Sequence, residues 1–348
     1  MSALRSAALA LTLGVLSPAL AAAQPVSHRD VITAPGVWLE APPLPADYVE
    51  VRRGALVIAY PREMAPLAAP ILDRAEQDER SLRAQLGVES APTIRVRVVP
   101  DIAALRALAP RQAPPPDYAV GVAYPTISLA LVSVRQHDQS ATPAVQKVFR
   151  HELAHVMLGL ATNHAPVPRW FAEGLAIEQA AERTLDRIER LAMASFSGGL
   201  IPWRTLDESF SQSHGEVDVA YAQSADMVNW LIRSQGPGRL PVLTMHLREG
   251  VPFEQAVRET WGRALAGMES SWRDDARLRF TLAPLWGGGF LGLAGATLTL
   301  AAVLRRRGRA KKTLARWERE DRRRARFMIV VPGLTPWNDD GRGGPTLH

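Results

Sequence analysis

FRHELAHVMLGLATNHAPVPRWFAEGLA, residues 149–176, decides how the chain is read. His151 and His155 stand four residues apart with Glu152 between them, and Glu173 follows eighteen residues after the second histidine. Upstream, Thr142-Pro143 offers a hydroxyl N-cap and a proline suited to the first helical position. The pattern predicts a helix from 142 to about 160. A spacing of four puts the two histidines ~40° apart on one helical face, so their ring nitrogens can converge on a single ion. Glu152 projects beside that face, where it can reach a water near the ion without being a ligand.

A catalytic zinc site takes three protein ligands and keeps one position open. The chain has no cysteine, so any metal must be held by His, Asp or Glu, and no disulfide framework exists. An extended site of the His-Glu-x-x-His-x-x-Gly-x-x-His kind would need Gly at 158 and His at 161. The sequence has Leu158 and Ala161. The remaining candidate is an acidic residue on the helix that begins after Pro168, and Glu173 lies one to two turns into it.

HELAH (151–155) taken with WFAEGLA (170–176) resembles the gluzincin metallopeptidases, most of all their peptidase MA-like branch. In that branch the third ligand is a Glu within Trp-x-x-Glu-Gly-x-Ala. AYAQSADMVNWLI (220–232) and VPFEQAVRETWGRALAGMESSW (251–272) are similar in order to the same branch, so the resemblance covers about residues 90–275. It implies Zn²⁺ bound by His151, His155 and Glu173, with Glu152 as general base in the hydrolysis of peptide bonds. Tyr221, which opens a Tyr-x-x-Ser segment, is the candidate donor to a developing oxyanion; His214 and then His164 rank behind it. The Gly-x-Met-Glu-Asn type of segment that aminopeptidases of the clan use is missing, so exopeptidase action has no support. No carboxylate that would orient the two imidazoles can be picked out, although such partners usually accompany metal-bound histidines. The alternative function is a metal-binding but non-catalytic scaffold of the cell envelope, for which a base at Glu152 would have no use.

The ends carry a different message. Residues 1–23 have a short apolar core bounded by Arg5 and by Ala21-Ala22-Ala23, the layout of a secretory signal peptide. Residues 281–304 hold no charged side chain over 24 positions, enough for a transmembrane helix. RRRGRAKK follows at 305–312 and marks the cytoplasmic side. The expected protein is thus single-pass in the inner (plasma) membrane, its catalytic domain periplasmic or extracellular and its basic tail, 305–348, cytoplasmic. That tail carries 13 Lys and Arg against 5 Asp and Glu, while the remainder has 28 against 30. The net charge of +6 therefore belongs to the tail and is no argument for a nucleic-acid partner. Expected partners are peptide or protein substrates of the envelope. Gly288, Gly292 and Ala296 form a small-residue seam through which the span could pair as a homodimer.

Between the ends, the fold class expected is α+β. Residues 24–140 are Pro-rich at first and then strand-bearing: YVEVRRGALVIAYP from Tyr48, TIRVRVVP at 93–100, and YAVGVAYPTISLALVSV at 118–134, interrupted at Pro125. Helices are expected from 65 to a stop at Gly87, and after Asp101 as N-cap. Residues 141–280 read as a helical, zinc-binding half. With the resemblance, this becomes a zincin-like domain, a small mixed sheet over an active-site helix followed by a mainly helical half. The stretch from Gly121 to Ser133 is a candidate edge strand along which a peptide could add.

Overall fold

A computed structural model describes residues 38–286 apart from 118, 135–141, 182–184, 211–213 and 237, and also Arg305. The chain divides into two compact units between Phe280 and Thr281, and the sheet and the histidines belong to the first. The strand-bearing part contains β1 (Tyr48–Arg53), β2 (Leu56–Pro61), α1 (Ala65–Gln85), β3 (Ile94–Val99), α2 (Ile102–Leu108), β4 (Gly121–Tyr124) and β5 (Leu129–Ser133). The helical part runs α3 (Thr142–Ala161), α4 (Arg169–Gln179), α5 (Leu185–Ser197), α6 (Leu206–Ser209), α7 (His214–Gln235), α8 (Arg239–Arg248), α9 (Phe253–Trp261) and α10 (Leu265–Trp286).

The α+β reading holds: five strands form one mixed sheet in the order β1-β2-β3-β5-β4. β1 and β2 make an antiparallel hairpin, β3 runs parallel to both β2 and β5, and β4 returns antiparallel to β5. Only β4 of the Gly121–Ser133 stretch lies at the edge; β5 is interior, between β3 and β4. Pro125 breaks the strand as expected, in a 3-10 turn, Pro125–Ile127, and Ser128 reverses the chain with φ 48°. The interior strands β2, β3 and β5 are almost continuously buried, as strands covered on both faces must be.

Alternation assigns the faces of β4. Val122 and Tyr124 pack into a cluster with Leu105, Leu108, Leu129 and Leu131, under α2. Gly121 points the other way, toward Val148 and Glu152 of α3. Helix α2 is tied down at both ends. Asp101 accepts from the Ala104 amide at 2.9 Å, the predicted N-cap, and buried Arg97 of β3 donates to Leu108 O at 2.8 Å. Burial lowers the Arg97 pKa, yet a second bond, to Pro42 O at 2.7 Å, keeps the guanidinium engaged.

Three expectations about the ends fall outside what is described: the signal peptide at 1–23, most of the span at 281–304, and all of the tail except Arg305. Residues 281–286 continue α10 to Trp286. Among the described residues, no helix is long and apolar enough to cross a membrane.

Candidate metal centre

Helix α3 ends almost where expected, at Ala161. Asn163 and His164 then take left-handed φ of 52° and 59°, and the His164 amide closes onto Gly159 O at 2.8 Å. Helix α4 restarts after Pro168, whose fixed φ suits the turn but which offers no side-chain cap. The cap comes from far along the chain. Asp207 of α6 accepts from the Arg169 amide at 2.9 Å and the Trp170 amide at 2.8 Å. A carboxylate there satisfies two orphan amides and sits at the favourable end of the helix dipole.

Helices α3 and α4 pack together and bring the predicted ligands to one point. Glu173 Oε2 is 3.7 Å from His151 Nε2 and 3.9 Å from His155 Nε2. The two imidazole centroids are 4.9 Å apart and inclined by 62°. One ligand atom from each of the three residues lies within 4.8 Å of the others. A tetrahedral ion with bonds near 2.0–2.1 Å separates its ligand atoms by ~3.3 Å, so small side-chain movements suffice to hold one. His151 and Glu173 are fully buried, and Glu152 and His155 nearly so. Two imidazoles and one carboxylate, buried together, are a donor set that suits a divalent ion.

Around the three candidate donors stand Arg169 and Phe210, which the sequence did not single out, and Tyr221, which it did. Arg169, one turn before Glu173, places Nε 3.5 Å from Glu173 Oε1. Its guanidinium lies 4.6 Å over the Phe210 ring, and its Nη2 reaches the Tyr221 hydroxyl at 3.5 Å. Tyr221 is buried on α7 with its ring edge-on to Phe210 at 5.0 Å. It is thus joined to the donor cluster through Arg169. His214 opens α7, and its side chain is outside the described residues. His164 lies beside Gly159 at the end of α3, where partial burial lowers its pKa. The spacing of Arg169 and Glu173, four apart in a helix, was a readable signal.

Behind the histidines, Arg150 joins three helices. It pairs with buried Asp78 of α1, donates to Gln179 O at the end of α4, and reaches Ser81 Oγ at 3.4 Å. Gln179 Nε2 in turn donates to Gln85 Oε1 at 2.8 Å. The face of α3 opposite this network meets the sheet, where a Cβ added to Gly121 would come within 2.4 Å of Glu152 Oε1. On α4, a Cβ added to Gly174 would come within 2.3 Å of Ser224 O on α7. Gly174 therefore lets two helix backbones touch directly beside Glu173.

Among the curated proteins, none is similar enough to count as a relative. Residues 87–277, more than half of the chain, match the family described as the Peptidase MA superfamily.

Proposed function

The chain belongs to the Peptidase MA superfamily, and from that membership we propose that it is a zinc-dependent peptidase. The observation that carries the reading is the buried meeting of His151, His155 and Glu173, with Glu152 buried on the same helix as the histidines. In this reading the two imidazoles and the Glu173 carboxylate hold Zn²⁺. The bound ion supplies Lewis acidity toward a carbonyl and makes water a better nucleophile near neutral pH. Glu152 is the general base: its carboxylate takes the proton from the attacking water and returns it to the leaving amine. Tyr221 is the candidate donor to the oxyanion. Its tie to Arg169 supports a place at the margin of the donor cluster. β4, the last strand in the sheet order, is the strand beside which an extended peptide would lie.

The setting is part of the same proposal. A leader at 1–23, a span at 281–304 and a basic tail at 305–348 would tether a zincin-like domain to the outer face of the membrane, restricting it to substrates of the envelope. The small-residue seam at Gly288, Gly292 and Ala296 would allow two copies to pair.

The test uses full-length protein in detergent, loaded with zinc and offered a mixed peptide library. Wild type should hold about one zinc and cleave. Glu152→Gln should keep the zinc and lose about 10²–10⁴-fold in rate, the range for a general base. Glu173→Ala should lose zinc. Undiminished cleavage by Glu152→Gln would rule out the mechanism, and a wild type that takes up no zinc would rule out the enzyme.

A further inference from the structure

We propose that Gly121 is a positioning residue for Glu152: its bare α-carbon forms the slot in which the carboxylate sits. This deepens the peptidase reading and rests on it. The contact is between an edge strand and the helix of the donors. A Cβ on Gly121 would lie 2.4 Å from Glu152 Oε1, 2.8 Å from its Cγ and 2.7 Å from Val148 Cγ1. Real Cβ atoms essentially never come so close, and Glu152 is too enclosed, at 1% exposed, to swing away freely.

Backbone conformation does not call for glycine here, because Gly121 is outside the left-handed region. Nor does this face of β4 refuse methyl groups as a rule. Ala123, two residues on, carries one on the same face, opposite Ala130 of β5. The demand for an absent side chain is thus local to the position that faces Glu152. Two elements define where the base stands: α3 carries it, and β4 limits how far it extends toward the sheet. Since β4 is also the last strand of the sheet, the base is gauged against the strand beside which the substrate would lie in the proposed reading. Misplacing a reacting group by about 1 Å can cost ~100-fold in rate.

The test measures Gly121→Ala in the full-length chain by three readouts: zinc affinity, kcat with KM, and thermal stability. The expected result is zinc affinity within about twofold of wild type and a fall of kcat on the order of 100-fold. Glu152→Asp, which shortens the side chain by one methylene, should be less harmful in the Gly121→Ala background than alone, for rate and stability both. Such coupling identifies a direct contact. Gly121→Ala with Val148→Ala removes the second clash and leaves the first, so it separates loss of packing from displacement of the base. A near-wild-type kcat in either alanine variant would overturn the proposal, as would independent, multiplicative effects of the two substitutions. If Gly121→Ala does not fold, rescue of folding by Glu152→Asp supports the contact. Rescue by Val148→Ala alone, or by neither, means that the glycine serves only the packing of the strand. Should wild type neither bind zinc nor cleave peptides, the peptidase reading fails. The stability coupling between positions 121 and 152 still reports on the contact.

Discussion

Two glycines mark the closest approaches around the donor cluster, and they differ in kind. At Gly121 the obstacle to a methyl group is mainly a side chain, the Glu152 carboxylate and its Cγ. At Gly174 the obstacle is backbone: Ser224 O at 2.3 Å and its carbonyl carbon at 2.7 Å, with Val228 Cγ2 at 2.8 Å. A side chain can give way and leave the fold standing with its chemistry displaced. A helix carbonyl gives way only if the helices separate. The sheet side of the centre therefore bounds Glu152, the proposed base, whereas the α4–α7 side holds Glu173, the proposed third ligand, in place. The centre lies on the seam between the strand-bearing and the helical parts, and each contributes through a residue with no side chain.

That contrast can be broken by experiment. The largest effect is expected for Gly174→Ala, which should cost about 3 kcal/mol as an overpacked core site that cannot relax locally. It should also weaken zinc binding, since Glu173 is the preceding residue. Urea denaturation and a chelator competition would measure both, and a stable variant with full zinc affinity would erase the distinction between the two glycines. Next comes Asp207→Ala, which removes the acceptor for the first amides of α4 and should cost about 1–2 kcal/mol, as the loss of a helix cap does. Asp207→Asn retains one carbonyl oxygen and should fall between. If denaturation shows no loss, α4 is registered by the packing of Trp170 and Phe171 rather than by its cap.

The smallest effect concerns His164. Partial burial sets its folded pKa below the ordinary histidine value of ~6.5. Between the two values the unfolded chain binds a proton that the folded one resists, so stability rises with pH in that window. Its contribution is complete above pH ~6.5 and is lost as the pH falls toward the folded pKa. His164→Gln should shrink the drop in Tm between pH 7 and pH 5. An unchanged drop would assign the acid sensitivity to other groups.

Much of this architecture was legible in the sequence where the signal is local. A spacing of four set His151 and His155 on one face, alternation placed β3 to within a residue at each end, and Pro125 marked the break between β4 and β5. Asp101 announced α2 because its cap partner is only three residues on. Glu173 became a ligand candidate through its helix and through a resemblance, since cysteine was absent and the extended histidine pattern failed.

Other features belong to tertiary structure alone. The sheet order, which makes β4 an edge and β5 an interior strand, depends on pairings that composition does not encode. Asp207 caps a helix that begins 38 residues earlier, and Asp78 pairs with an arginine 72 residues away. By itself the sequence determined the helical phase of the two histidines, because it repeats within a turn of chain, and pointed to Glu173 as a candidate. Only the tertiary structure decided how near α3 lies to the sheet and α4 to α7, because a close approach is a property of two surfaces, and each residue carries only one of them.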